Sequence, residues 1–163
     1  MRVLNIHERE LQAEPEKVGK LIDSLSSPTD ALWPKQSWPP MKFDRPLAVG
    51  AVGGHGPISY SVESYTPGQS IKFRFLGPKG FDGCHFFEVI ASTGESCILR
   101  HTIKMTTHGS ACLKWPLIIR PLHDALLEDS LATAQTSLGI TPEVKKWSIW
   151  VRFLRWLLRR KRS

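Results

Sequence analysis

"GCHFFEVIASTGESCILRHTIKM", Gly83 to Met105, alternates apolar and polar residues on either side of Ser92-Thr93-Gly94. That period of two predicts two half-buried strands, and a glycine at the third loop position supplies the left-handed conformation that a three-residue hairpin needs. With that loop, Phe87 faces Leu99, Val89 faces Cys97 and His85 faces His101. Ile103 and Met105 continue the apolar face, while Glu88, Arg100 and Lys104 lie on the other. A slip by two residues leaves the histidines diagonal but still on the inward face, because the side-chain period is two.

Upstream, "LAVGAVGGHGPISYSVESYTPGQSIKFRFL" reads as strand, Gly-rich loop, strand, turn, strand. A four-residue loop at 66–69 pairs Tyr65 with Ser70, Val62 with Phe73 and Tyr60 with Phe75, which puts apolar residues on one face of both strands. Lys72 and Arg74 point the other way. "GAVGGHG" lacks a following Lys-Ser/Thr and opens no helix, so it is neither a phosphate loop nor a dinucleotide fingerprint. It serves as a strand connection or as a rim over a cavity mouth, with His55 near the opening.

Residues 2–10 form a first strand, and "AEPEKVGKLIDSL" a short helix with Pro15 in its first turn and Glu14 and Glu16 near its positive end. Val18, Leu21, Ile22 and Leu25 recur at helical spacing. "SSPTDALWPKQSWPPMKFDRP" is turn-rich, with Trp33 and Trp38 packing locally. "KWPLIIRPLHDALLEDSLATAQTSL" is a long helix kinked early by Pro116 and Pro121 and ended by Gly139 and Pro142. Its broad apolar face carries Ile118, Leu122, Ala125, Leu126, Ala132 and Thr133, with Asp129 projecting within it. Leu127, Leu131, Ala134 and Leu138 make a second seam. The fold class is α+β, an antiparallel sheet with helices on one side.

The 163 residues suit one domain with a real core. Three cysteines, Cys84, Cys97 and Cys112, build no disulfide framework and suit a reducing compartment. The first residues show no signal-peptide pattern, and no run approaches the ~20 apolar residues of a membrane span. Of 22 basic residues, eight fall in 141–163 against one acid, Glu143. The net charge of +7 therefore belongs to this tail, and residues 1–140 are neutral.

Element order and motifs resemble the START-like, helix-grip superfamily, which includes polyketide cyclases and lipid-transfer domains. The motifs that carry the likeness are "AEPEKVGKLIDSL", "VGGHGPISYSVESYTPGQSIKFRF", the opening stretch and "RPLHDALLEDSLATAQ". The resemblance covers about residues 2–138. It implies a curved antiparallel sheet wrapped around a long C-terminal helix, with a ligand cavity between them. The superfamily has no universal catalytic residues, so none is carried over.

The chain thus divides into a START-like ligand-binding domain, 1–140, and a basic amphipathic helical extension, 141–163. The expected ligand is a hydrophobic small molecule or lipid. The residues expected to meet it are Tyr60, Val62, Phe73, Phe75, His85, Phe87, Leu99, His101, Ile103, Leu122, Leu126 and Asp129. His85, His101 and Asp129 are equally readable as a satisfied core cluster or as acid–base groups of a polyketide cyclase or dehydratase. No metal or cofactor is expected, because no ligand spacing is diagnostic. In the tail, Ser148, Arg152, Arg155, Arg159 and Arg162 form one narrow stripe, and Trp147, Trp150, Trp156 and other large apolar residues cover the rest. Such a helix packs on its own domain or on a second copy, or lies in an anionic membrane surface; nucleic acid would want less apolar area. The expected location is cytoplasmic, with peripheral membrane attachment through Trp147, Trp150, Arg152, Arg155, Trp156 and Arg159 as an option.

Overall fold

A computed structural model describes residues 1–93 and 95–160, the side chains of 91–93 excepted. Seven strands form one curved antiparallel sheet. They are β1 (Arg2–Leu11), β2 (Lys42–Phe43), β3 (Val52–His55), β4 (Ile58–Thr66), β5 (Ser70–Gly77), β6 (Phe81–Thr93) and β7 (Ser96–Thr107). The order across the sheet is β1-β7-β6-β5-β4-β3-β2. Helix α1 (Pro15–Asp23) follows β1. After β7 come α2 (Ala111–Lys114), a π-helical turn (Trp115–Ile119), the long α3 (Arg120–Ser137) and α4 (Ile149–Arg160).

The opening hairpin forms, with its register moved by two. Phe87 pairs with His101, His85 with Ile103, Val89 with Leu99 and Ala91 with Cys97. The strands run closer to the turn than a three-residue loop allows, and an irregularity between Ala91 and Thr93 brings Thr93 opposite Ser96. The expected role of Gly94 lies outside the described residues. In the next hairpin Val62 does face Phe73, and Tyr60 faces Phe75. Nearer the turn Tyr65 pairs with Ile71 rather than Ser70, and a bulge between Val62 and Ser64 absorbs the difference.

"VGGH" is a strand rather than the expected loop. Gly53 lies between β2 and β4, and a Cβ there would sit 2.0 Å from the Lys42 carbonyl oxygen. The glycines permit close strand approach instead of a flexible link.

Gly19 has a parallel role in α1. A Cβ on it would lie 2.0 Å from the Gly68 carbonyl oxygen in the β4–β5 turn. Asp23 of the same helix accepts hydrogen bonds from the Gly68 N–H (2.9 Å) and the Tyr65 hydroxyl (2.8 Å). The helix is thus pressed onto the turn that fixes hairpin register. Gly19→Ala forces backbone apart from backbone and is expected to cost about 3 kcal/mol, the upper range for overpacking. An unchanged urea midpoint would refute this account of the α1 contact.

The long helix breaks where Pro116 and Pro121 stand, and the break takes the form of a π turn, one of the recognised causes of a kink. Both seams of α3 reach the interior, Leu126 and Ala132 of the broad face being buried beside the second seam. Leu127, Leu131 and Ala134 are buried in the main core, while Leu122 and Ala125 are only partly covered. Asp129 lies about 160° around the helix from Leu131, at ~100° per residue.

Candidate functional site

Between sheet, α3, the segment 33–40 and α4 lies a cavity of about 440 Å³. Strands β5, β6 and β7 contribute Phe75, His85, Phe87, His101 and Ile103. The π turn and α3 contribute Trp115, Ile119, Leu122, His123 and Leu126, and the end of β3 and the turn after it contribute His55 and Pro57. Alternation explains the strand set, since Phe87 and His85, and His101 and Ile103, are two apart on one face.

Of the residues expected at the ligand, Phe75, His85, Phe87, His101, Ile103, Leu122 and Leu126 line this cavity. Tyr60, Val62, Phe73 and Leu99 do not. They are at most 2% exposed and pack as core behind the wall. Asp129 is also elsewhere, accepting hydrogen bonds on Oδ2 from the indole N–H groups of Trp38 (2.7 Å) and Trp147 (3.0 Å).

The two central imidazoles meet across the diagonal, with His85 Nδ1 and His101 Nε2 3.2 Å apart. His85 lies against the rings of Phe73 and Phe75, both at 4.9 Å, with the edge of Tyr60 at 4.7 Å. Burial holds both histidines well below the ordinary 6.5, so both are neutral at neutral pH. One ring donates the shared proton and the other accepts it. Whichever tautomer holds, one outer nitrogen carries N–H and the other is a bare acceptor. Those outer atoms, His85 Nε2 and His101 Nδ1, are buried and unpaired. An unpaired buried polar atom costs roughly 1–3 kcal/mol, which a ligand group bonding to it would recover.

His55 closes one side of the cavity, its Nδ1 3.0 Å from the Tyr60 hydroxyl and its ring 4.8 Å from that of Trp33. Burial, with the nearby His123, lowers it to about 3.

His123 was not among the expected site residues. Its ring stands 5.1 Å from His101 and 6.1 Å from Trp115. The signal for it was its spacing with Ile119, Leu126 and Leu127, which places it on the inward stripe of the helix. On its far side lies a charged network between β1 and α3. His7 meets Asp124 and Glu128 through its two ring nitrogens, both at 3.0 Å, and Arg9 meets Glu128 at 2.9 Å. An imidazole that donates from both nitrogens is an imidazolium. Burial alone would lower His7, but the two carboxylates outweigh it and raise it. Ligand atoms of His7, His123 and Asp124 lie within 4.8 Å of one another. Both nitrogens of His7 already have carboxylate partners, so the imidazolium accounts for the arrangement.

The tail covers one flank. Val151 and Leu154 are buried, and Arg155, grouped in the sequence with the narrow arginine stripe and offered for docking, turns inward. Its guanidinium sits 4.1 Å from the ring centres of both Trp38 and Trp147 and donates to the Ser37 carbonyl. Trp38 therefore packs on a distant element rather than locally, while Trp33 does both, its indole N–H donating to the Pro39 carbonyl at 2.9 Å and its ring lying against that of His55. Arg155, Leu158 and Arg159 line the cavity, whereas Trp150, Arg152 and Trp156 face outward. The expected position of Arg162 lies outside the described residues. Among the described residues, no helix is long and apolar enough to cross a membrane.

No family model matches the sequence, and no curated protein does. Solved structures do match. A Thermobifida fusca protein known from a solution structure aligns with a TM-score of 0.63 at 14% identity, covering 87% of this chain and 99% of its own. Norcoclaurine synthase from Thalictrum flavum, in complex with dopamine and hydroxybenzaldehyde, aligns with a TM-score of 0.61 at 15% identity over 88% and 90%. CalU16 from Micromonospora echinospora gives a TM-score of 0.51 at 13% identity over 86% and 96%. A curved seven-stranded antiparallel sheet around a long helix is the helix-grip fold, and the likeness to these structures extends over most of their length.

Proposed function

We propose that the protein binds a hydrophobic small molecule or lipid in the cavity between sheet and α3. The observation that carries this reading is the cavity itself: about 440 Å³, walled by aromatic and aliphatic side chains and by two imidazoles with unpaired nitrogens. That size lies within the ~300–1,000 Å³ of small-molecule sites, and a few oriented polar atoms in an apolar wall are what such sites use for specificity. The norcoclaurine synthase structure, which holds dopamine and hydroxybenzaldehyde, supports a small-molecule ligand on this fold. A cytoplasmic protein with peripheral membrane attachment fits a lipid ligand.

A second reading is favoured by the same unpaired nitrogens. A neutral imidazole pair with one free acceptor and one free donor suits acid–base work of the cyclase or dehydratase kind. Binding and chemistry separate in one experiment. The purified protein is extracted and analysed by mass spectrometry for bound lipid or aromatic compounds, and anilinonaphthalene sulfonate is titrated into the extracted protein. The dye is expected to bind, and Leu126→Trp, which fills the cavity, is expected to weaken it at least about tenfold, since each buried CH₂ contributes ~0.8 kcal/mol. No extracted compound and no difference between the dye titrations would overturn the cavity reading. If the compound recovered after incubation is altered, and the alteration stops in His85→Gln or His101→Gln while binding persists, the enzyme reading replaces simple binding.

A further inference from the structure

Helix α4 has two unlike faces. The inner one holds Val151, Leu154 and Arg155 against the body. The outer one leaves Ile149, Trp150, Phe153, Trp156 and Leu157 between 38% and 84% exposed. Three of those rings form a ladder on the surface. Trp150 and Phe153 stack at 5.5 Å, Phe153 and Trp156 at 6.0 Å, and the Arg160 guanidinium caps Trp156 at 4.1 Å. The patch continues onto the π turn, because the Trp150 indole N–H donates to the Leu117 carbonyl at 2.8 Å, and Leu117 and Ile118 are themselves exposed.

Charge narrows the choice of partner. Arg152, Arg159 and Arg160 are exposed around these rings, and the sequence from 144 to 160 contains no acid. A second copy laid on this face would bring like charges together with nothing in α4 to answer them. A nucleic acid would answer the charges and leave the rings unburied. A surface that offers both negative charge and an apolar layer is an anionic bilayer, with aromatic rings at the interface and arginines among the headgroups.

The position of the face relative to the cavity adds a consequence. The lining residues that reach the surface include Ile118, Leu158 and Arg159, next to the ladder. We infer that the outer face of α4 docks the protein on an anionic membrane surface and holds the cavity mouth beside it. Docking stands apart from the ligand's identity; only the use of the mouth for exchange with the bilayer rests on the cavity reading.

The test uses the full chain sedimented with phosphatidylcholine vesicles, with and without phosphatidylserine, alongside dye titration of the cavity. Binding is expected only with phosphatidylserine, and it is expected to weaken as salt rises. Each basic residue near such a surface is worth about fivefold, so Arg152→Gln/Arg160→Gln is expected to lower partitioning about 25-fold. Phe153→Ser/Trp156→Ser is expected to abolish sedimentation. Both double variants change exposed side chains outside the cavity and are expected to keep the circular dichroism and dye affinity of the parent. Equal sedimentation of parent and variants, or none by the parent, overturns the inference. So does a concentration-dependent dimer that disappears in Phe153→Ser/Trp156→Ser, or tighter binding to duplex DNA than to vesicles. Dye binding lost while vesicle binding persists counts against the cavity and leaves docking standing.

Discussion

Moving from pH 7 to pH 5 is expected to remove about 4 kcal/mol of folding stability through His85 and His101 alone. Both are held well below 6.5 in the folded protein, by burial first and then by neighbouring imidazoles. In the unfolded chain they take up protons near the ordinary value. Their contribution is complete above pH 6.5 and is lost as pH falls, because the unfolded state then binds more protons. At pH 5 each group that stays neutral costs roughly 1.5 pH units at about 1.4 kcal/mol per unit, or about 2 kcal/mol. His55 and His123 are shifted the same way and add to the loss. His7 opposes it. Raised by Asp124 and Glu128, it contributes stability below pH 6.5 and loses it as pH climbs through its folded value. Asp124 and Glu128, held below their ordinary values against the pull of burial by His7 and other partners, stay ionised at pH 5. Four groups therefore act against one, and the sign is acid destabilisation. Urea unfolding at the two pH values measures the loss, and imidazole resonances report the cause. Equal stability at both values, or a His85 or His101 resonance titrating near 6.5, would show that the cavity wall is wet.

The strand pattern was legible because a period of two leaves little freedom. Val62 opposite Phe73 and Tyr60 opposite Phe75 are set by the need to put both apolar rows on one face. What was not legible is where a bulge falls. The displaced pairing of Tyr65 and the slip of Val89 from Cys97 to Leu99 depend on turn geometry, and they move pairs without moving faces. That is why the histidine pair survived the slip and the exact partner did not. In α3 the spacing showed which residues share a stripe, but not which stripe meets the sheet. Asp129 was assigned to the cavity side, whereas the Leu127–Leu131–Ala134 seam takes the core. His123 was overlooked although it stands on the stripe of Ile119, Leu126 and Leu127, because a single histidine on an apolar helix face carries no spacing of its own. The inward turn of Arg155 depends on Trp38, more than a hundred residues away, and no local pattern could announce it.

That arginine and Asp129 carry the second large effect: Asp129→Ala is expected to cost about 3 kcal/mol. The carboxylate is the common acceptor for two indole N–H groups, one from the segment before β2 and one from the tail. Hydrogen bonds to a charged group contribute roughly 1.5–3 kcal/mol each, and an indole left buried without an acceptor keeps its desolvation cost. The two rings so held are the faces between which Arg155 sits, 4.1 Å from each. Releasing them loosens a cation–π contact worth about 1–2 kcal/mol when desolvated. The clamp therefore fixes α4 to the body, and through Arg155, Leu158 and Arg159 it fixes one wall of the cavity. Loss of stability should come with earlier proteolytic cleavage in 141–148, red-shifted tryptophan emission and weaker dye binding. Asp129→Asn keeps one acceptor oxygen and is expected to lose about half as much. If Asp129→Ala melts with the parent, the indoles find other partners and α4 is held by Val151 and Leu154 alone. If stability falls while cleavage and dye affinity stay as in the parent, Asp129 supports α3 but does not position the wall.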